Sequence, residues 1–450
     1  MNKRQFLKTS GAIVTGSLIS RFAPAQKQVA KPLTNWAGNL TYSTTSLREP
    51  AGIGEIQSLV KKSPRVKVLG TRHSFNTIAD SKDQLISTAR LCKVLSLDET
   101  GLTVTAGSGV RYGELAVWLH QRGYALHNLA SLPHISIAGG CATATHGSGV
   151  LNGNLSSAVR AMEFVDAAGE LRTLARDKDP QEFPGAVVHL GGIGVVTRLT
   201  LAIQPTYQVR QRVYEGLPLS GLEHYFDEIM SAGYSVSLFT NWQNNTINEI
   251  WIKSRVGEER DGQFTSGLLG ARAAVHPLHP ISGVSPEHCT EQMGVPGAWH
   301  DRLPHFRMEF TPSNGSELQS EYFIPRDRSV EAIMAVEALR DEISPLLLIS
   351  EIRCIAEDDL WMSPCYHQAS TAIHFTWRQD ASAVSRLLPL IEERLAPFHA
   401  RPHWGKLFAT APQRIAVLYE RSGDFRQLLQ RYDPDGKFRN PYLDTLIFGS

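Results

Sequence analysis

Glu351-Ile352-Arg353 and His374-Phe375-Thr376 each set two polar side chains one residue apart. In an extended strand that spacing puts Glu351 and Arg353 on one face, and His374 and Thr376 on one face, with Phe375 and Trp377 turned the other way. A carboxylate, a guanidinium, an imidazole and a hydroxyl so placed can hold hydroxyl groups and move a proton. Spacing alone equally allows a solvated sheet face carrying a salt bridge. Against that, the charges sit among Leu346, Leu347, Leu348, Ile349 and Ile355, where burial without partners is costly. A third group is His73 in the stretch Gly70-Thr71-Arg72-His73-Ser74-Phe75-Asn76. Gly70 frees the backbone for a turn after the apolar run Val66 to Leu69, so His73 stands at a strand's end, where loops carry sites. Its competing role is a ring that caps the turn.

These groups need elements to position them. Ile53, Ile56, Leu59 and Val60 recur at helical spacing and Ser63-Pro64 ends the run before the Val66 to Leu69 strand. Leu102 to Ala106 alternates as a strand, Gly107-Ser108-Gly109 follows, and a helix is predicted from Tyr112 to Gln121, closed by Gly123. Residues Ala130 to Gly149, ASLPHISIAGGCATATHGSG, are almost all small after Ile137. Such a stretch lets backbone approach a ligand closely; a flexible linker would not interleave Ile135, Ile137, Cys141, His134 and His146. Glu163 to Val165 and Leu171 to Leu174 read as a hairpin, and the glycine cluster Gly191-Gly192-Ile193-Gly194 runs into a strand from Val195 to Ile203. That cluster does not fit the GxGxxG pattern of a nicotinamide Rossmann domain. After Pro205 the character changes: Leu222, Tyr225, Phe226, Ile229 and Met230 make an amphipathic helix, and Val236 to Thr240 and Glu249 to Lys253 read as strands. Gly257 to Trp299 reads as an irregular loop or lid, whose His276, His279 and His288 lack ligand spacing and suit surface or loop positions.

Composition removes several function classes. The 450 residues are 42% hydrophobic, enough for two or three domains, and 45 Lys and Arg balance 44 Asp and Glu. No overall field favours nucleic acid, and no basic run with interleaved aromatics occurs. The five cysteines, Cys92, Cys141, Cys289, Cys354 and Cys365, are scattered without a CxxC pair, so zinc is set aside and inert thiols are expected. The amino terminus, with Lys3-Arg4, Phe6-Leu7-Lys8, a mild apolar stretch to Ile19 and Ala23-Pro24-Ala25, resembles a twin-arginine export signal, with Lys3 in place of the first arginine. Cleavage after Ala25 and an exported, periplasmic or secreted protein are expected. The apolar run is too short to span a bilayer.

Taken in order, the glycine turn with His-Ser, the small-residue loop ending in HGSG, the strand with DAAGE and the GGIGVVT segment resemble the FAD-binding domain of vanillyl-alcohol-oxidase-type (PCMH) flavoproteins, over residues 42–205. SEIR, AIHFTW and Arg401-Pro402-His403-Trp404-Gly405-Lys406 are similar to the substrate domain of the alditol (xylitol or sorbitol) oxidases, and HWGK to a segment of aldonolactone oxidases. The resemblance implies an α+β fold: a two-subdomain FAD-binding domain, a substrate domain on an antiparallel sheet over 206–410, and a segment 411–450 packing back on the FAD domain. It implies FAD, attached covalently through His73, in contact with Gly70, Thr71, Arg72, Ser74, Phe75, Ser136, Gly139, Gly140, Thr143, Thr145, His146, Gly147, Gly191, Gly194 and Val196. Arg72 departs from the second glycine common in that turn. The polyol site implied is Ser131, Gln319, Glu351, Arg353, His374, Thr376 and Lys406, with His374 or Lys406 as base and Arg353 and Lys406 as stabilising cations. The activity implied is oxidation of a polyol at a terminal primary alcohol to the aldose, hydride passing to flavin N5 and O2 becoming H2O2. Aldonolactone oxidation and a flavin dehydrogenase with another acceptor are the alternatives.

Overall fold

The computed structural model describes residues 32–258, 269–308 and 316–449. The export-signal segment lies outside the described residues.

The helix Ile53–Lys62 buries Ile56 and Val60 and is followed by the strand Val66–Leu69, which pairs in parallel with Gln84–Ser87 and through it with Leu47–Arg48. Beside this small sheet lies an antiparallel one in the order Val94–Asp98, Thr103–Gly107, Val195–Ala202, Val159–Val165, Leu171–Ala175. Its alternating apolar residues, Val104, Leu199, Leu201, Met162 and Phe164, face a core shared with the helix Tyr112–His120. The expected loop from Ala130 to Gly149 is not wholly irregular. Ile137–Ala142 forms a short helix, since Ile137 and Cys141 are buried and the small residues between them let it pack closely.

From Gln208 onward a nine-stranded antiparallel sheet dominates the described residues. Its central strands run Ser235–Thr240, Leu347–Ile355, Ser370–Arg378 and Glu317–Pro325. One face of these strands is apolar: Leu318, Tyr322, Ile352, Ile373, Phe375 and Trp377 pack on Ile333 and Val336 of the helix Ser329–Glu337 and on Val384, Leu387 and Ile391 of the helix Ala381–Leu395. Phe375 and Trp377 stack at 4.9 Å and 4°. The period of two therefore sends every second residue to the opposite face, where the polar pairs lie.

The chain then returns. Phe425, Leu428 and Leu429 of the helix Ser422–Tyr432, with Leu443 and Ile447, join the same core as Val104, Leu115 and Phe164. Val66 N donates to Lys437 O, Lys437 Nζ to Val60 O, and Asn440 Nδ2 to the carbonyls of Thr77, Ile78 and Asp80.

Candidate active site

Register assembles the polar face. Phe239 is paired with Glu351, Glu351 with His374 and His374 with Glu321, one rung across four strands; Ile349, Thr376 and Gln319 form the next. The Leu407 and His403 amides donate to the carbonyls of Gln319 and Glu321, so the HWGK segment is sewn to the strand Glu317–Pro325. The same segment is tied to the histidine turn: Phe75 N donates to Gly405 O at 2.8 Å, and Asn76 Nδ2 to Trp404 O and Lys406 O at 2.9 and 2.8 Å. Two stretches some 330 residues apart in sequence are thereby one wall.

That wall belongs to a cavity of about 540 Å³. Ser131, Gln319, Glu351, Arg353, His374, Thr376 and Lys406 all line it, as do Gly70, Thr71, Arg72, His73, Ser74 and Phe75, and Gly139, Gly140, Thr143, Thr145, His146 and Gly191. Four expected residues do not. Ser136 lies beneath the turn, with its Oγ where a Cβ on Gly70 or Gly139 would stand; Val196 points into the core. Gly147 is pressed against the Leu129 carbonyl and Gly194, at φ +145°, against that of Val165, so both serve backbone approach rather than the wall. His279, expected at a surface or loop position, lies in a loop but is buried and lines the cavity.

Arg72 takes φ +63°, in the left-handed region where glycine is at ease. Its carbonyl accepts from Trp36 N at 2.9 Å and its Nη1 donates to Thr34 O at 3.1 Å, contacts that hold the turn without the glycine.

The electrostatic centre is Glu321, whose side chain is 0% exposed. Its Oε1 accepts from Arg353 Nη2 at 2.6 Å and its Oε2 from Lys406 Nζ at 2.7 Å, and His146 Nε2 lies 3.2 Å away. Burial pushes this carboxyl up, but Lys406, His146 and Arg353 together outweigh it and hold Glu321 well below the usual carboxylate range. Glu351 is likewise held low, because Arg353 and His305 outweigh its burial; His305 Nε2 lies 2.7 Å from Glu351 Oε1. Arg353 Nη1 also reaches Ser131 Oγ at 3.3 Å. Two carboxylates and two cations thus cancel over a few ångströms. His374 differs: both ring nitrogens are buried with no hydrogen-bond partner, and burial reinforced by the Lys406 charge holds it well below the ordinary imidazole value. It is neutral, and its ring lines the cavity.

Sequence reasoning missed Glu321, His305 and Phe239. Glu321 stands two residues after Gln319, so strand alternation places it on the same face, and that signal was available. Among the described residues no group of three or more His, Cys, Asp or Glu could hold a metal ion, and no helix is long and apolar enough to cross a membrane. The described cysteines are free, and only Cys92 is exposed.

The sequence profile of an FAD-binding domain matches residues 47–175, and that of D-arabinono-1,4-lactone oxidase residues 310–446. An alditol oxidase of Streptomyces sp. is 45% identical over 93% of this chain and 99% of its own. An L-gulono-1,4-lactone dehydrogenase of Mycobacterium tuberculosis is 27% identical over 92% and 98%, and the L-gulonolactone oxidase of Mus musculus 23% over the same shares. In structure, a cholesterol oxidase from B. sterolicum superposes with TM-score 0.72 at 15% identity, covering 92% of this chain and 96% of that one, a likeness of fold alone. The fold and cavity define a flavoprotein oxidoreductase with a PCMH-type FAD-binding domain, and FAD is its cofactor. Within that class the chain belongs to the alditol oxidase family, related to the aldonolactone oxidases.

The residues present fit FAD. Gly139, Gly140 and Gly191 line the cavity; a Cβ at Gly139 or Gly140 would meet Ser136 Oγ or the Tyr112 ring, and one at Gly191 would meet Lys67 Nζ at 3.1 Å. Burial brings the Lys67 ammonium down to about 7, and an anionic diphosphate beside it would restore its charge.

Proposed function

We propose that the protein oxidises an alditol such as xylitol or sorbitol at a terminal primary alcohol, giving the aldose and H2O2, with FAD attached through His73. The observation that carries this reading is the convergence of Ser131, Gln319, Glu351, Arg353, His374, Thr376 and Lys406 on the cavity that His73 also lines. When bound, FAD supplies a hydride acceptor at N5 and passes the electron pair to O2.

The chain's own groups do the rest. Gln319, Glu351, Ser131 and Thr376 offer donors and acceptors to successive hydroxyls and so hold one end carbon in place. Neutral His374 accepts the hydroxyl proton as the hydride leaves; Lys406, fastened to Glu321 as an ammonium, is the poorer base and the better cation. Arg353 and Lys406 stabilise the negative charge that develops. His279, Ile281 and Phe306 also line the cavity.

The test is anaerobic reduction by xylitol, sorbitol and a sugar lactone in wild type, Lys406→Met and His374→Ala, with peroxide yield measured in air. Reduction by polyols, slowed in both variants with FAD still bound, is expected. Fast reduction by the lactone alone would assign aldonolactone oxidation, and polyol reduction without peroxide would assign a dehydrogenase. Export by the twin-arginine machinery belongs to the same reading, tested by the amino terminus of protein recovered from the periplasm: it should begin after Ala25.

A further inference from the structure

His73 is paired with a second histidine. His134 Nε2 lies 2.5 Å from His73 Nε2, with ring centroids 4.3 Å apart, and Trp36 covers the His73 ring at 4.5 Å and 32°. Two imidazole nitrogens at hydrogen-bond distance require one N–H and one lone pair. Residue 134 is fixed from both sides, since Gly113 N donates to Pro133 O and Tyr112 N to Ile135 O at the start of the helix Tyr112–His120. Its Nδ1 is buried without a partner, so Nε2 makes the ring's one polar contact, and that contact is His73. Burial and the Arg111 charge bring His134 down to about 4, and burial with His134 brings His73 to about 3, so both rings are neutral at pH 7. An N–H on His73 Nε2 leaves the lone pair on Nδ1, the nitrogen turned away from His134.

The geometry points to His134 as the proton acceptor that makes His73 Nδ1 nucleophilic for flavin attachment, an inference that rests on His73 being the attachment site. In the step, His73 Nδ1 forms a C–N bond to the methyl carbon of the flavin's dimethylbenzene ring and that methyl loses a proton. The His73 Nε2 proton passes to His134 Nε2 and on to water. The two electrons released end on O2, which with two protons becomes H2O2. His134 contributes as a positioned base.

The experiment uses the full chain produced under riboflavin limitation and incubated with FAD in air. Flavin fluorescence retained on a denaturing gel is followed in time for wild type, His73→Ala, His134→Gln, and His134→Gly with and without imidazole. Attachment on the order of a hundredfold slower in His134→Gln, with FAD still bound reversibly, is expected, as is faster attachment in His134→Gly when imidazole is added. Wild-type attachment rates in His134→Gln overturn the role of His134 while leaving His73 in place. Should His134→Gln not hold FAD, the glycine variant decides, and no acceleration by imidazole overturns the inference. Acid-stable flavin in His73→Ala overturns the attachment site itself.

Discussion

Glu321→Gln tests the charge balance of the site most directly. The substitution keeps the shape but removes the charge that Arg353 and Lys406 share, leaving two cations whose side chains are 6% and 15% exposed facing one another. Breaking a buried pair by removing one partner costs about 3–5 kcal/mol. With an unfolding entropy of about 2.1 cal/mol/K per residue over roughly 420 residues, that is a Tm lower by about 3–6 °C. Lys406→Met relieves part of the unpaired charge, so the double variant should be less destabilised than the sum of the singles by about 1–3 kcal/mol. The assay is denaturant unfolding of the four proteins at pH 7, with thermal scans beside it. The sign with pH follows from a folded-state pKa lower than the ordinary 4.5. The stability Glu321 adds is present above that value and lost as pH falls through the folded one, so the gap between wild type and Glu321→Gln narrows in acid. A Tm within 1 °C of wild type, or strict additivity, would refute the view of Glu321 as the shared counter-ion.

Asn440→Ala leaves the carbonyls of Thr77, Ile78 and Asp80 without their donor and should cost about 1–3 kcal/mol, read as a lower denaturation midpoint and faster proteolysis near the carboxy terminus. Asp358 is raised from 3.8 to about 7 by burial, so the folded state holds the extra proton and loses stability as pH rises between those values. Asp358→Asn should remove that slope, seen as a Tm difference from wild type that shifts in the variant's favour between pH 4 and 7. Gly147→Ala forces a Cβ against the Leu129 carbonyl and Asn128, and should cost about 1–3 kcal/mol of stability, read as a lower Tm, without altering the flavin spectrum.

Much of the site was legible because a strand's period of two is unforgiving. Glu351, Arg353, His374 and Thr376 share the cavity face since Phe375 and Trp377 have nowhere to go but the core behind them. The helix Ile53–Lys62 and the strand Val66–Leu69 were readable from local pattern, with Ser63-Pro64 marking the break. What stayed hidden depends on non-local pairing. The union of Glu321 with Lys406 requires the strand Glu317–Pro325 to meet the HWGK segment, and the meeting of His134 with His73 requires two loops to converge; neither leaves a periodic trace. Arg72 could be seen as out of place, but its carbonyl's bond to Trp36 could not.

The return of the last stretch of chain has a consequence for biosynthesis. The core built on Val104, Leu115 and Phe164 is closed by Phe425, Leu428, Leu443 and Ile447, so the half that is made first gains its full native packing only once the last-made segment arrives. At roughly 5–20 residues per second, the stretch between Pro205 and Tyr432 takes about 10–45 s to synthesise. Throughout that interval this core lacks the part of its cover that Phe425, Leu428, Leu443 and Ile447 supply, a window for chaperone binding. A fusion or truncation at the carboxy terminus therefore acts on the first-made half of the protein.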